Sequence, residues 1–329
     1  MRIKIPVVLA TATALMLTGC GGNSGDEAAA PGESSTLTVG TVGIGSDAAI
    51  QMAIDKGYFE EEGLTVETTV IANPPAGIAA AQSGQIDLTY TPSIPLLNAL
   101  SQNVPLKVVA AADGYAEDAA QSEDLATVDD TGLYVPAGSS ITDPKDLEGK
   151  SVSVPARKAQ MEVTISKVIS DAGGDPQKVN WMVLDPASAL QSLDSNRVDA
   201  AALISPFTAQ AGTKGHQRLA SPGIEFFEKG AVGLWVAGTQ TVEDKSEEMA
   251  GFARAINKAN DYANNNPEEA EEVGAEVTGV PLETVQEGAE VYWPTEVRLE
   301  DLQRVNALLV ELGFLPQEVA IDESLIVNE

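Results

Sequence analysis

The chain of 329 residues is poor in the side chains that do most covalent and metal chemistry: it has one Cys and one His. A lone cysteine excludes an internal disulfide, and with a lone histidine it excludes Cys–His zinc cages and His-pair metal centres. Basic residues are scarce, with 19 Lys and Arg against 49 Asp and Glu and a net charge of -30. So acidic a surface repels phosphate backbones, which removes nucleic acid from the possible partners. Aromatics are only 5% of the chain, and a mean hydropathy of -0.02 argues against a multispan membrane protein. What remains is 43% hydrophobic residues over a length suited to about two domains, enough for real cores.

The first residues read as an address. Arg2 and Lys4 precede a mostly apolar run over residues 5–17. That run is too short for a bilayer core of about 30 Å, but it has the length and flanks of a signal peptide. It ends in Leu17-Thr18-Gly19-Cys20, which resembles the lipobox of bacterial lipoproteins. The resemblance implies that residues 1–19 are removed and that Cys20 becomes a lipid-bearing N-terminus, anchored stably if it carries two or more acyl chains. Residues 20–35 are small and polar and read as a flexible tether. The expected location is the extracytoplasmic face of the cell membrane, with the lipid as the only membrane contact.

From residue 36 the chain alternates strand-like and helical periods, the pattern of an α/β fold. Strands are expected at residues 36–42, 64–71, 86–90, 106–111, 132–136, 151–155, 181–184, 200–204 and 232–237. Helices are expected at 48–62, 78–82, 93–102, 161–172, 187–195 and 206–214, with an acidic helical tail from residue 246.

Four segments, in order, resemble the nitrate/sulfonate/taurine-type substrate-binding proteins of ABC importers, a family that also takes thiamine-precursor pyrimidines. They are AIDKGYFEEEGLTVE from Ala53, GIAAAQSGQID from Gly77, DPKDLEGKSVSVP from Asp143, and Val198-Asp199-Ala200-Ala201 with Ser205-Pro206-Phe207. Ser205 departs from the pattern, since an acidic residue is common there. Each segment also has a plain structural duty: Tyr58 and Phe59 pack a helix end, Asp87 steadies a nearby backbone, and residues 146–149 form a turn. The resemblance implies a two-lobed periplasmic-binding-protein type 2 fold, with two mixed sheets flanked by helices and two hinge crossings. Lobe I is expected over residues 36–135 and 235–329 and lobe II over 136–234, with the crossings near residues 135–138 and 232–235. The partners implied are a small-molecule ligand and ABC permease subunits, the chain is expected to be a monomer, and no cofactor is called for.

In open α/β sheets, ligands meet the loops at strand C-termini. That rule selects Gly45 and Ser46 after the first strand, Asn73 after the second, and Thr91, Pro92 and Ser93 at the third. Across the cleft it selects Arg157, Gln160 and Met161 after the strand at 151–155, and Ser205 and Phe207 after the strand at 200–204. Trp235, like Tyr292 and Trp293, offers a ring for stacking. Each of these positions has turn, capping or core packing as its competing duty. The guanidinium of Arg157 suits a carboxylate, sulfonate or nitrate. Residues 136–234 hold ten basic and eleven acidic side chains, whereas the rest of the mature chain holds seven and 38. An anion therefore meets least repulsion at lobe II, although the same imbalance also serves solubility. These two features favour a small organic anion as ligand, with a pyrimidine or other flat heterocycle second and a sensor without a transporter third. Gly43-x-Gly45-x-x-Ala48, with Glu67 downstream, fits a dinucleotide fingerprint, but an exported protein meets no nicotinamide cofactor. Catalysis of the thiamine-pyrimidine synthase kind lacks its cysteines and histidine here, so the expectation is a binding protein and not an enzyme.

Overall fold

The computed structural model describes residues 34–327; the expected signal peptide, Cys20 and nearly all of the tether lie outside them. The strands are β1 Ser35–Thr41, β2 Leu64–Val70, β3 Leu88–Pro92, β4 Leu106–Tyr115, β5 Thr131–Val135, β6 Ser151–Val154, β7 Asn180–Val183, β8 Ala200–Ile204, β9 Gln217–Ala220 and β10 Gly230–Gly238. They form two five-stranded sheets, ordered β2-β1-β3-β10-β4 and β7-β6-β8-β5-β9. Both sheets are mixed. In the first, β10 runs antiparallel to β3 and β4, and in the second β5 runs antiparallel to β8 and β9.

The two sheets share one plan, and each receives its antiparallel strand directly from a crossing. Strand pairing therefore moves both crossings toward the N-terminus of their expected places. The chain leaves the first sheet after Tyr115 and is in the second by Thr131, so the first crossing is residues 116–130 and not 135–138. The return is residues 221–229, and β10, expected to hold the second crossing at 232–235, lies wholly in the first sheet. The sequence misled because β5 and β10 are apolar and fully buried, and such runs do not reveal which sheet they join.

Local chemistry explains most element boundaries. The helix expected over 48–62 breaks at Gly57, which adopts φ 71°, leaving Ala48–Asp55 and Tyr58–Glu61. The helix expected at 78–82 starts earlier, at Pro74, because proline fits the first helical turn and Asn73 caps it by accepting from the Ala76 N–H at 3.0 Å. β9 and the helix Pro222–Phe227 were not legible in the sequence; they are too short to show a period. The core of the first lobe gathers Leu37, Val39, Phe59, Leu88, Trp235 and Phe252. That of the second gathers Leu133, Val152, Val154, Ile165 and Ile169.

Topology also sets where a site can be. Pro92 at the end of β3 pairs with Gly233 near the start of β10, and Ile204 at the end of β8 pairs with Thr131 at the start of β5. In both sheets the C-terminal ends of the parallel strands thus lie on the side of the crossings. The loops that follow them face one cleft.

Candidate ligand-binding site

The centre of the cleft on the first lobe is Asp113, near the end of β4. Its Oδ2 accepts from the Ser46 hydroxyl at 2.5 Å and the Tyr90 hydroxyl at 3.0 Å, and its Oδ1 accepts from the Gly233 N–H at 2.9 Å. Position 233 must be glycine, because a Cβ there would collide with Asp113 and Tyr90. Protein surrounds Asp113 on most sides, yet it keeps some exposed area, as a group at the bottom of a cleft does. Burial raises its pKa against the lowering effect of its three hydrogen bonds, and raises that of Tyr90 well above the ordinary phenol value.

Asp47 follows the first strand and is 3% exposed. Its Oδ2 accepts from the Gly43 N–H at 2.7 Å and the Ile44 N–H at 3.2 Å, while its Oδ1 is buried with no partner among the described residues. Desolvation, reinforced by the charge of Asp113, lifts its pKa to about 6. Asp130 ends the first crossing, half-buried, with its carbonyl accepting from the Ser205 N–H at 2.8 Å. Burial and the charges of Asp129 and Asp113 push its pKa to about 7. Its neighbour Asp129 is fully buried and does structural work, bonding Tyr115, Thr131, Gly223 and Ile224.

The second lobe repeats the arrangement at Asp47 with a different acid. Glu162, 4% exposed, accepts from the Lys158 N–H at 2.6 Å and from Arg157 at 2.7 Å through Nε and 3.1 Å through Nη2. In each lobe a buried carboxylate from the helix start takes loop N–H groups, those of Gly43 and Ile44 in the first lobe and that of Lys158 in the second. Arg157, half-exposed, is held in the same way. Its Nε and Nη2 are engaged by Glu162, while half of the side chain stays open to solvent.

The other expected contacts divide. Gly45, Ser46, Pro92 and Ser205 stand at the crossing-side ends of their strands and are half-buried; Thr91 and Ser93 are fully buried there, the Ser93 hydroxyl with no partner among the described residues. Gln160 opens the helix Gln160–Asp171 with a buried Oε1 that has no partner among the described residues. Asn73 is an exposed helix cap. Met161 lies in the second lobe's core, and Phe207 packs beside the cluster of Tyr134, Leu190 and Leu203. Trp235, 2% exposed, meets Tyr90 and Phe252 edge-to-face at 6.0 and 5.9 Å. It is core and not a stacking platform. Trp293 is buried too and holds the Ser46 carbonyl through Nε1 at 2.9 Å. Sequence reasoning missed Asp113, Asp130, Tyr90 and Gly233. The one signal was an aspartate breaking an apolar strand in Ala112-Asp113-Gly114.

A cavity of about 580 Å³ lies elsewhere, between the first crossing and the first lobe, lined in part by Tyr115, Val128, Asn264, Glu290 and Tyr292. Among the described residues no helix is long and apolar enough to cross a membrane, and no group of His, Cys, Asp or Glu could hold a metal ion.

The model of the NMT1/THI5-like family matches residues 46–270. A formylaminopyrimidine-binding protein of Halalkalibacterium halodurans is 28% identical over 231 residues, covering 67% of this chain and 63% of that protein. A Brucella abortus protein named for binding is 23% identical over 227 residues, covering 68% and 65%. The chain thus spans less than two thirds of the length of these curated relatives. Among solved structures, the alkanesulfonate-binding protein of Xanthomonas axonopodis pv. citri bound to MOPS superposes with a TM-score of 0.69 at 18% identity, covering 90% of this chain and 99% of that one. The similar structures are mostly binding proteins, but the desulfurization enzyme DszB shares the fold too, with a TM-score of 0.64 at 14% identity over 90% of this chain and 97% of that one.

Proposed function

The chain belongs to the NMT1/THI5-like family, and on that premise we propose that it is a solute receptor for a flat nitrogen heterocycle of pyrimidine type. The ligand enters between the two lobes, the lobes close on it by bending the crossings, and the closed form delivers it to an ABC permease. The receptor is not an enzyme, and it is exported and tethered through a lipid on Cys20. The observation that carries the choice of ligand is that each loop already holds a carboxylate of the chain: Asp47 takes the N–H groups of Gly43 and Ile44 and Glu162 that of Lys158, so an incoming anion meets a negative charge at both. The name of the Halalkalibacterium halodurans relative agrees with it.

A small organic anion is the second reading. The near balance of charge over residues 136–234 favours it, and the pairing of Arg157 with Glu162 counts against it. A thermal-shift screen separates the two. Substituted aminopyrimidines at about 100 times their Kd should add roughly 2.7 kcal/mol of stability. Alkanesulfonates and nitrate should add nothing. Stabilisation by a sulfonate and by no heterocycle would reverse the order. Loss of a bound heterocycle's amino or ring groups on prolonged incubation, followed by mass spectrometry, would reveal an enzyme instead.

A further inference from the structure

The cavity of about 580 Å³ beside the first crossing has the size of a small-molecule site and shares no residue with the strand ends of the cleft. One wall is the crossing, with Ala116, Asp118, Gln121 and Val128; the other is the first lobe, with Asn264 and Tyr292. Residues 288–293 link it to the cleft. The Tyr292 carbonyl accepts from the Gly114 N–H at 3.0 Å, next to Asp113, and the Glu290 N–H donates to the Thr127 carbonyl on the crossing at 2.9 Å. Asn264 fixes the Trp293 backbone through both ends of its amide, at 2.7 and 3.0 Å, and Trp293 Nε1 in turn holds the Ser46 carbonyl at 2.9 Å. At the other end of the segment, a Cβ on Gly288 would stand 3.0 Å from the Ser205 hydroxyl. One short segment thus touches a cleft loop on each lobe and the crossing between them. Tyr115, also on the cavity wall, donates to Asp129, which holds the second crossing through Gly223 and Ile224. An occupant that braces these walls acts on both crossings and favours the arrangement it fits.

The lining also sets the chemistry of that occupant. Tyr292 is 36% exposed, an open ring for stacking. Among the described residues the only charged side chains on the walls are the exposed carboxylates of Asp118 and Glu290. No ion pair among the described residues reaches either, whereas neighbouring Glu117 has Lys229 at 2.8 Å. An anion is repelled here, while an ammonium group is drawn to the carboxylates and to a ring face. The molecule makes that second contact elsewhere: Lys56 and Lys258 stand 4.1 and 4.0 Å from the ring centroids of Tyr262 and Tyr58.

We propose that this cavity is a second ligand site, an effector site that takes a small aromatic amine and steadies the hinge by holding residues 288–293 against the first crossing. It acts whichever solute the cleft receives.

Titration calorimetry and hydrogen exchange on the full chain test this with phenethylamine, a cation at neutral pH, and with phenethyl alcohol and phenylpropanoate as its uncharged and anionic counterparts. The amine should bind at least about threefold tighter than the alcohol, and phenylpropanoate should not bind. At about ten times its Kd the amine should slow exchange roughly tenfold over residues 116–130, 288–293 and, on the second crossing, 221–229, wherever opening expels it. Asp118→Asn with Glu290→Gln should erase the preference for the amine. Gln121→Trp, at an exposed position on the rim, should abolish both binding and protection. No heat with millimolar amine, or protection at the cleft loops 43–47 and 157–162 instead, overturns the site. An alcohol that binds as tightly as the amine overturns its chemistry, and protection that stops short of residues 221–229 overturns the effector role. If Gln121→Trp does not fold, the exchange map of the wild type decides.

Discussion

Asp129→Ala should unfasten the hinge. The carboxylate is 0% exposed and joins three parts of the chain. Its Oδ1 accepts from Tyr115 Oη at 2.9 Å, at the end of β4, and from the Thr131 N–H and hydroxyl at 3.0 and 2.7 Å, at the start of β5. Its Oδ2 accepts from the N–H groups of Gly223 and Ile224 at 2.9 and 3.0 Å, in the first turn of the helix Pro222–Phe227 on the second crossing. Asp129 thus caps, from one crossing, a helix start on the other, and its negative charge suits the positive end of that helix. Truncation takes the acceptor from the N–H groups of Thr131 and Ile224, while the Gly223 N–H keeps the Thr131 hydroxyl at 3.1 Å and the two hydroxyls can rotate toward other acceptors. A buried donor left unsatisfied costs about 1–3 kcal/mol. With some relief from entering water, the loss should be about 3–5 kcal/mol, the range for removing one partner of a buried charged network. At about 2–4 °C per kcal/mol for a chain of this size, the melting temperature should drop by roughly 10 °C. Urea unfolding followed by circular dichroism gives the free energy directly. A loss under about 1 kcal/mol would mean that Asp129 is not holding the crossings, and the reasoning fails.

Asp47 and Asp130 carry more protons folded than unfolded, because their native pKa values, about 6 and about 7, exceed the unfolded value of 3.8. Stability of the ligand-free protein should therefore fall as pH rises from about 5 to about 8, with a melting temperature lower by at least about 3 °C at the upper end. Scanning calorimetry should show that slope and its flattening in Asp130→Asn, and a curve rising over this window would contradict the burial of these acids. Arg157→Ala should change ligand affinity less than about threefold and stability by under about 1 kcal/mol, since its ion pair is half in solvent. Glu162→Ala, which empties a buried position, should cost about 2 kcal/mol or more. A loss of binding near 30-fold in Arg157→Ala, measured by calorimetry, would restore the anion reading. Cys20→Ala should abolish incorporation of a radioactive fatty acid in cells, and equal labelling of mutant and wild type would remove the lipid anchor.

The parts of the fold that were legible are those written in neighbouring residues. Even local signals are incompletely legible: the helix expected over 48–62 runs through Gly57, and the one expected at 78–82 misses its cap at Asn73. β8 is found as expected at Ala200–Ile204, because its apolar run is bounded by polar residues on both sides. Arg157 shows the limit of the same reasoning. From the sequence it looks like a free cation at a strand end, and nothing local announces that Glu162, one helical turn on, folds back onto it and onto the Lys158 N–H.

By itself the sequence determined the α/β class, the order of most strands and helices, the family likeness and the set of strand ends where a ligand can be met. All of these follow from hydrophobic period, turn chemistry and the regular chemistry of short motifs, which act over a few residues. Only the tertiary structure decided which sheet β5 and β10 join, that Trp235 belongs to the core, and that Asp47 and Asp130 each feel the charge of Asp113. The reason is physical: strand order sets which remote residues meet, and enclosure sets their charge. An aspartate in the chain is an ordinary acid until the sheets close around it.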